Sequence, residues 1–310
     1  MKLMAGFIKM IRFPNLIFIG LAQVLFQFSV YYVLYPEKNS SSDIIHFSLL
    51  VLASVFIAAA GYVINDYFDI NIDEVNKPRR LVVDKVISRR WAIAWHFMLS
   101  FSGIVLTAFA VPLFDKWYIV LANIFCVALL WLYSTNFKRQ LLIGNIVISL
   151  LTAWTILIVF FSKVSIADAI GIGEQHHEKF FRIAFLYAGF AFISSLIREA
   201  IKDMEDMPGD EKYGCRTMPI VWGVNATKVY VAVWLIVLVV ILILVQVYVL
   251  QFRWWMPVLY CTLLIILPLI FIFLKLFKAK TVGQFHQLSS LIKAVMLAGI
   301  VSMIFFYFYL

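Results

Sequence analysis

Apolar residues in this chain come in long unbroken blocks, not in the alternation of a half-buried strand or the 3.6-residue stripe of a surface helix. Nine blocks have the length, about 20 residues, that a helix needs to cross a bilayer core. They run over 14–34, 46–64, 91–113, 117–134, 141–161, 180–197, 229–250, 255–277 and 289–309. In lipid each backbone polar group must be satisfied within the segment, so each block predicts a helix. The break between the third and fourth blocks, Phe114-Asp115-Lys116, is short, and the two are expected to form a hairpin. The fold class that follows is all-α: a polytopic membrane protein, a bundle of nine transmembrane helices with 1–310 as one domain. The opening stretch, MKLMAGFIKMIRFPNLIF, has no small-residue cleavage site after its apolar part. It is expected to be retained as the first helix.

Composition agrees: 64% of residues are hydrophobic and 14% charged, against about 25% charged in a soluble domain. The net charge of +9 therefore bears on orientation before it bears on partners. With the N-terminus inside, the inner segments hold 19 Lys and Arg and the outer segments 6, with Lys293 left inside the ninth block. Such a bias predicts a cytoplasmic N-terminus and an external C-terminus. The basic residues stand singly or in pairs, so no nucleic-acid footprint is present. Three cysteines, Cys126, Cys215 and Cys261, form no C-x-x-C and imply no disulfide framework. His176-His177 lie in a polar outer loop, and His46, His96 and His286 near block ends, where packing or capping explains them. Trp and Tyr at block ends fit an interfacial belt.

Polar chemistry concentrates in two inner segments. Residues 65–80 read NDYFDINIDEVNKPRR, directly after the second apolar block. Asn65, Asp69 and Asp73 are four apart, so on a helix they share a face, and Asp66 joins the same set. Residues 202–216 read KDMEDMPGDEKYGCR after the sixth block, with Asp203, Asp206 and Asp210 spaced three and four. An arginine follows the last aspartate by six residues in both, Arg79 after Asp73 and Arg216 after Asp210. A carboxylate inside a bilayer costs about 2.5–3.5 kcal/mol on the lenient insertion scale, so acidic clusters beside membrane spans mark function. Their recurrence at matching positions suggests two halves around one site. Carboxylates with an amide oxygen suit Mg2+, which takes one or two carboxylates and fills its shell with phosphate oxygens and water. Basic residues past each patch can complete a diphosphate shell. Each patch is expected to hold one magnesium on a shared diphosphate, with the hydrocarbon tail among the apolar helices.

These motifs resemble the UbiA superfamily of intramembrane prenyltransferases along essentially the whole chain. Asn65, Asp66, Asp69 and Asp73 match its N-D-x-x-D-x-x-x-D motif, and Asp206 and Asp210 its second, D-x-x-x-D. Arg12-Phe13-Pro14-Asn15 and Tyr133 with Lys138 are similar too. The run Arg198-Glu199-Ala200-Ile201-Lys202-Asp203 is most similar to digeranylgeranylglyceryl phosphate synthase-like members, which prenylate the hydroxyl of a prenylated glycerol phosphate. The aromatic-acid branch carries D-x-x-Y-A-x-x-D, where this chain has Glu199, Lys202, Asp203 and Asp206.

The resemblance implies a Mg2+-dependent transferase in the membrane lipid, with a prenyl diphosphate and a lipophilic acceptor as partners. Metal ligands would be Asn65, Asp66, Asp69, Asp73, Asp203, Asp206 and Asp210, with Asp69, Asp206 and Tyr133 in catalysis. Lys77, Arg79, Arg80, Lys212 and Arg216 would hold diphosphate; Arg12, Asn15 and Lys138 would hold the acceptor. The site is expected on the cytoplasmic side of a bacterial or archaeal plasma membrane. Two alternatives stay open: prenylation of an aromatic quinone precursor such as 4-hydroxybenzoate or homogentisate, and an ion-coupled transporter. Pro208-Gly209 inside the second motif is expected to end its helix near Asp206, leaving Asp210 on a turn.

Overall fold

A computed structural model describes residues 2–78, 82–171 and 177–310. Arg79, Arg80, Glu174 and His176 thus lie outside the described residues. Among the described residues nine helices are long and apolar enough to cross a membrane. They are Phe13–Leu34, Ser41–Phe68, Arg89–Ala110, Leu113–Thr135, Ile143–Lys163, Glu178–Lys212, Val224–Leu250, Trp255–Leu276 and Val282–Tyr309. All nine coincide with the predicted blocks, and the chain is an integral membrane protein of all-α class.

Several ends differ from expectation for local reasons. The break between spans three and four falls at Val111-Pro112, because Pro112 lacks the N–H to continue a helix. Lys116, expected in the break, lies inside span four as a local kink (φ −126°, ψ 29°). Lys2–Met10 form their own helix, followed by Arg12 in the left-handed region (φ 50°), and Pro14 opens span one. Span one also carries a π-helical stretch, Phe26–Tyr31.

The largest correction concerns span six. Pro208 lies inside the helix, which continues to Lys212, so Asp210 is on the helix and not on a turn. A proline removes only its own N–H from the ladder, and this one lies in the last two turns. The stop is Gly214 (φ 70°): the Cys215 N–H donates to Asp210 C=O at 2.9 Å and the Gly214 N–H to Glu211 C=O at 3.1 Å. That pair of bonds is a Schellman C-cap.

The chain divides into two compact units. The first comprises Met1–Phe137 and Trp154–Leu186; the second comprises Lys138–Ala153 and Tyr187–Leu310. Between helices in lipid, close packing and polar contacts replace the hydrophobic drive. In the first unit a Cβ on Gly61 would sit 2.7 Å from a Leu130 methyl, so glycine lets spans two and four approach there without moving Leu130. Asn123 donates to Thr107 at 2.8 Å and Gln23 to Ser54 at 2.9 Å, each worth on the order of 0.6 kcal/mol. Met10, Val63, Val82, Val83, Ile87 and Ala92 form an apolar cluster that seats the N-terminal helix on the loop before span three. In the second unit Ile197, Ile201, Met204, Leu235, Leu269 and Ile292 are buried in one core. Cys126 and Cys215 are buried and Cys261 is half-buried.

Candidate active site

Span two does not stop at the end of its apolar run. Its helix carries Asn65 and Asp66 in the last turn to Phe68, and Ile70–Asn76 follows as a short helix. The Asp69 N–H donates to Asn65 C=O at 3.0 Å and the Asp73 N–H to Asp69 C=O at 2.7 Å. The four-residue ladder therefore passes through the junction, which keeps Asn65, Asp69 and Asp73 on one face. Asn65 Nδ2 donates to Asp69 Oδ2 at 2.7 Å. Its Oδ1 is buried and has no hydrogen-bond partner. Burial pushes the Asp73 carboxyl up to about 6, with the charges of Asp69 and Asp66 adding to the effect.

Arg12, expected at the acceptor, donates through Nη2 to Asp66 Oδ1 at 2.8 Å, and its guanidinium lies 5.1 Å from the centre of the Tyr62 ring. The left-handed backbone at Arg12 turns the N-terminal helix away from span one at this point. Asn15 lies one turn on, its N–H bonded to Arg12 C=O at 2.7 Å. Lys77 follows the short helix, half-buried, with its N–H on Asp73 C=O at 2.8 Å. Tyr133 is half-buried in the last turn of span four.

The second patch belongs to the other unit. Asp203, Asp206 and Asp210 lie half-buried on one face of span six. Asn145, in the first turn of span five, donates through Nδ2 to Asp203 Oδ2 at 2.8 Å. Sequence reasoning missed Asn145. Its signal was a primary amide among apolar residues at a span's start, where a buried polar group needs a partner. Beyond the helix, the Arg216 N–H donates to Arg139 C=O at 2.8 Å, which brings the loop carrying Lys138 to the second patch. Lys212 and Arg216 are exposed. The histidines have ordinary partners: His286 pairs with Glu205 at 2.9 Å, His96 with the Ala60 carbonyl at 3.0 Å, and His177 with the Tyr35 hydroxyl at 2.6 Å.

The donors present fit magnesium better than a metal with an all-protein cage. Among the described residues no three His, Cys, Asp or Glu could hold an ion by themselves. Magnesium does not need them: it keeps waters and takes phosphate oxygens beside one or two carboxylates. The buried Asn65 Oδ1 offers a hard oxygen without a donor of its own. The repulsion from Asp69 and Asp66 that adds to the effect of burial on Asp73 is what a cation would relieve.

A model of the UbiA prenyltransferase family matches residues 24–308. Among curated proteins, a digeranylgeranylglyceryl phosphate synthase of Korarchaeum cryptofilum is 32% identical over 273 residues, 86% of this chain and 88% of that one. A solved structure of digeranylgeranylglyceryl phosphate synthase superposes with a TM-score of 0.63 at 24% identity, covering 98% of this chain and 99% of that chain. A UbiA homologue from Archaeoglobus fulgidus, bound to DMAPP and Mg2+, superposes with a TM-score of 0.59 at 18% identity, covering 96% and 99%. With the model spanning most of the chain, the transporter alternative is set aside. Two acidic motifs at the ends of the second and sixth of nine spans, and a match over nearly the full length, lead to one conclusion: this chain belongs to the UbiA prenyltransferase family.

Proposed function

We propose that this protein transfers a prenyl group, geranylgeranyl being the best fit, from an allylic diphosphate to the hydroxyl of a prenylated glycerol phosphate. The whole chain, 1–310, acts as one catalytic domain, and its chemistry takes place on the cytoplasmic face. The acceptor assignment is supported by the run Arg198 to Asp203 and by the curated relatives, which are named digeranylgeranylglyceryl phosphate synthase. The aromatic branch would place an Asp, a Tyr and an Ala where Glu199, Lys202 and Asp203 stand.

Asn65, Asp66, Asp69 and Asp73, and Asp203, Asp206 and Asp210, are the residues that would hold magnesium. Bound there, the ion would neutralise the diphosphate and make it a better leaving group. Lys77, Arg79, Arg80, Lys212 and Arg216 add positive charge to the same anion. The C1–O bond to diphosphate breaks with its electron pair going to the leaving group. The acceptor hydroxyl oxygen forms the new ether bond, and its proton leaves with the diphosphate. Tyr133 faces the developing allylic cation, where an aromatic ring stabilises positive charge. Apolar helix walls keep water from quenching that cation. Asn15 and Lys138 contribute to acceptor binding, and Arg12 orients Asp66.

The test is turnover of geranylgeranyl and farnesyl diphosphate by purified protein, with and without magnesium, across acceptors. A prenylated glycerol phosphate should be prenylated and 4-hydroxybenzoate should not. Transfer to the aromatic acid alone would overturn the reading.

A further inference from the structure

The N-terminal helix, Lys2–Met10, ends before the first span and has three different sides. Gly6, Phe7 and Met10 share the side that docks. A Cβ on Gly6 would lie 2.8 Å from a Val86 methyl, and the Phe7 and Trp95 rings are 4.7 Å apart. Met10 is buried with Val63, Val82 and Val83. Met4 and Ile8, one turn apart, form a second side and are 70% and 45% exposed. Leu3, in the first turn, is 67% exposed. Lys9 is exposed on a third side, about 140° around the axis from Met4. A helix this short is marginal on its own in water, so its surroundings must hold it. The docked side supplies part of that support and leaves Met4 and Ile8 uncovered.

We propose that Lys2–Met10 is an interfacial helix whose Met4–Ile8 side enters the lipid at the headgroup–acyl boundary, and that this seat holds Arg12 on Asp66. The level of the helix identifies the occupant. Val82, Val83 and Val86, on which it rests, belong to the loop before span three and lie outside the bilayer core. Trp95 stands in the second turn of that span. The helix is therefore level with the ends of spans one and three. Both spans turn apolar residues outward at this level: Phe13, Ile17 and Trp91 are exposed. A tryptophan at the end of a span marks the boundary between membrane and water. A helix in the plane at this depth, apolar on one side and basic on another, meets acyl chains with the first and headgroups with the second. In water the same apolar side would be unfavourable in proportion to its area.

The link to Asp66 runs through one residue and rests on the metal-motif reading above. The Ile11 N–H donates to Phe7 C=O at 3.0 Å and the Arg12 N–H to Lys9 C=O at 3.1 Å, so backbone bonds carry the helix up to Arg12. On the other side the Asn15 N–H donates to Arg12 C=O at 2.7 Å. Arg12 itself is left-handed (φ 50°), a conformation that a residue with a Cβ keeps only where its surroundings fix it. Those surroundings are the docked helix, the first turn of span one and the 2.8 Å bond to Asp66. Lifting the helix off the lipid changes the first of these and swings the guanidinium. Lys2–Met10 is thus a positioning element that acts through Arg12.

The test places a fluorescent nitrobenzoxadiazole label on Met4→Cys, Ile8→Cys or Lys9→Cys in the full-length protein, reconstituted in phosphatidylcholine vesicles. Wild-type protein, whose cysteines are buried or half-buried, supplies the background. With lipid brominated near the head of its acyl chain, the labels at positions 4 and 8 should lose most of their emission and the label at 9 little. Aqueous iodide should give the reverse order. Met4→Glu with Ile8→Glu should lift the helix and move the magnesium concentration for half-maximal prenyl transfer by about threefold or more, part of the effect of losing a charge-assisted bond. The direction should be the one in which Arg12→Ala moves it. Met4→Leu with Ile8→Leu should keep the wild-type dependence. Equal iodide quenching at all three positions, or a Met4→Cys cross-link between two copies without lipid quenching, would overturn the lipid seat. Lipid quenching with an unchanged magnesium dependence in the Glu pair would overturn the link to Asp66. If Asp66→Ala itself leaves that dependence unchanged, the metal-motif reading fails and the link with it, while the quenching order still decides the seat.

Discussion

Asn145 Nδ2 donates to Asp203 Oδ2 at 2.8 Å, joining the start of span five to the second acidic motif on span six. A bond to a charged group contributes about 1.5–3 kcal/mol, and this one fixes which way the Asp203 carboxylate points. Asn145→Leu should lower turnover by roughly tenfold to a hundredfold and raise the magnesium concentration for half-maximal rate. Asn145→Asp should be worse, because it sets a second carboxylate against the first. A magnesium titration of the three proteins checks this; an unchanged half-maximal concentration in Asn145→Leu would remove Asn145 from the site.

The two acidic motifs are proposed to act on one diphosphate. Asp69→Ala and Asp206→Ala should each lose on the order of 10³-fold in turnover, the scale of removing one charge-stabilising group. The double variant should be scarcely worse than either single one, since residues acting as a unit are not additive. Prenyl diphosphate turnover measures all three. Wild-type-like rates for Asp69→Ala would end the shared-diphosphate proposal.

Arg12 neutralises Asp66 at 2.8 Å. Its removal takes from Asp66 the guanidinium that offsets its charge beside Asp69 and Asp73. Arg12→Ala should therefore change the magnesium dependence and the KM for prenyl diphosphate more than the KM for the acceptor. A rise confined to the acceptor's KM would return Arg12 to the acceptor role that its motif suggests.

Stability in the first unit depends on a buried ion pair away from both motifs. Lys163 Nζ donates to Asp43 Oδ1 at 2.6 Å, and Asp43 Oδ2 accepts from Gln27 at 3.0 Å and from the Tyr32 hydroxyl at 2.8 Å. Lys163 is only 8% exposed, and breaking a buried pair by removing one partner costs about 3–5 kcal/mol. Lys163→Met should lower the thermal unfolding midpoint in detergent, and Lys163→Met with Asp43→Asn should recover part of the loss. Equal midpoints for wild type and Lys163→Met would show that the pair contributes nothing.

The bias in basic residues, 19 against 6, predicts a cytoplasmic N-terminus. Reporter fusions at Lys85 and Lys280 should read as cytoplasmic and one at Glu174 as external. A cytoplasmic signal at Glu174 would reverse the assignment of the catalytic face.

The number and class of the spans were legible in the sequence, because a bilayer demands about 20 apolar residues per crossing whatever the helix packs against. The two motifs were legible for a related reason. Asn65, Asp69 and Asp73 are four apart, and helical spacing alone sets them on one face. Contacts made across helices were not legible. Nothing in the order of residues pairs Asn145 with Asp203, Arg12 with Asp66, or Tyr187 with Ser302. Those pairings depend on how neighbouring helices are rotated and slid, which close packing at positions such as Gly61 and Gly299 decides. The end of span six shows the same division. Proline at 208 predicted a break by its local chemistry, but the helix runs on to Lys212 and is closed by the left-handed Gly214 and its two capping bonds. Local rules identify which residues can end a helix; the completed backbone hydrogen bonds decide which one does.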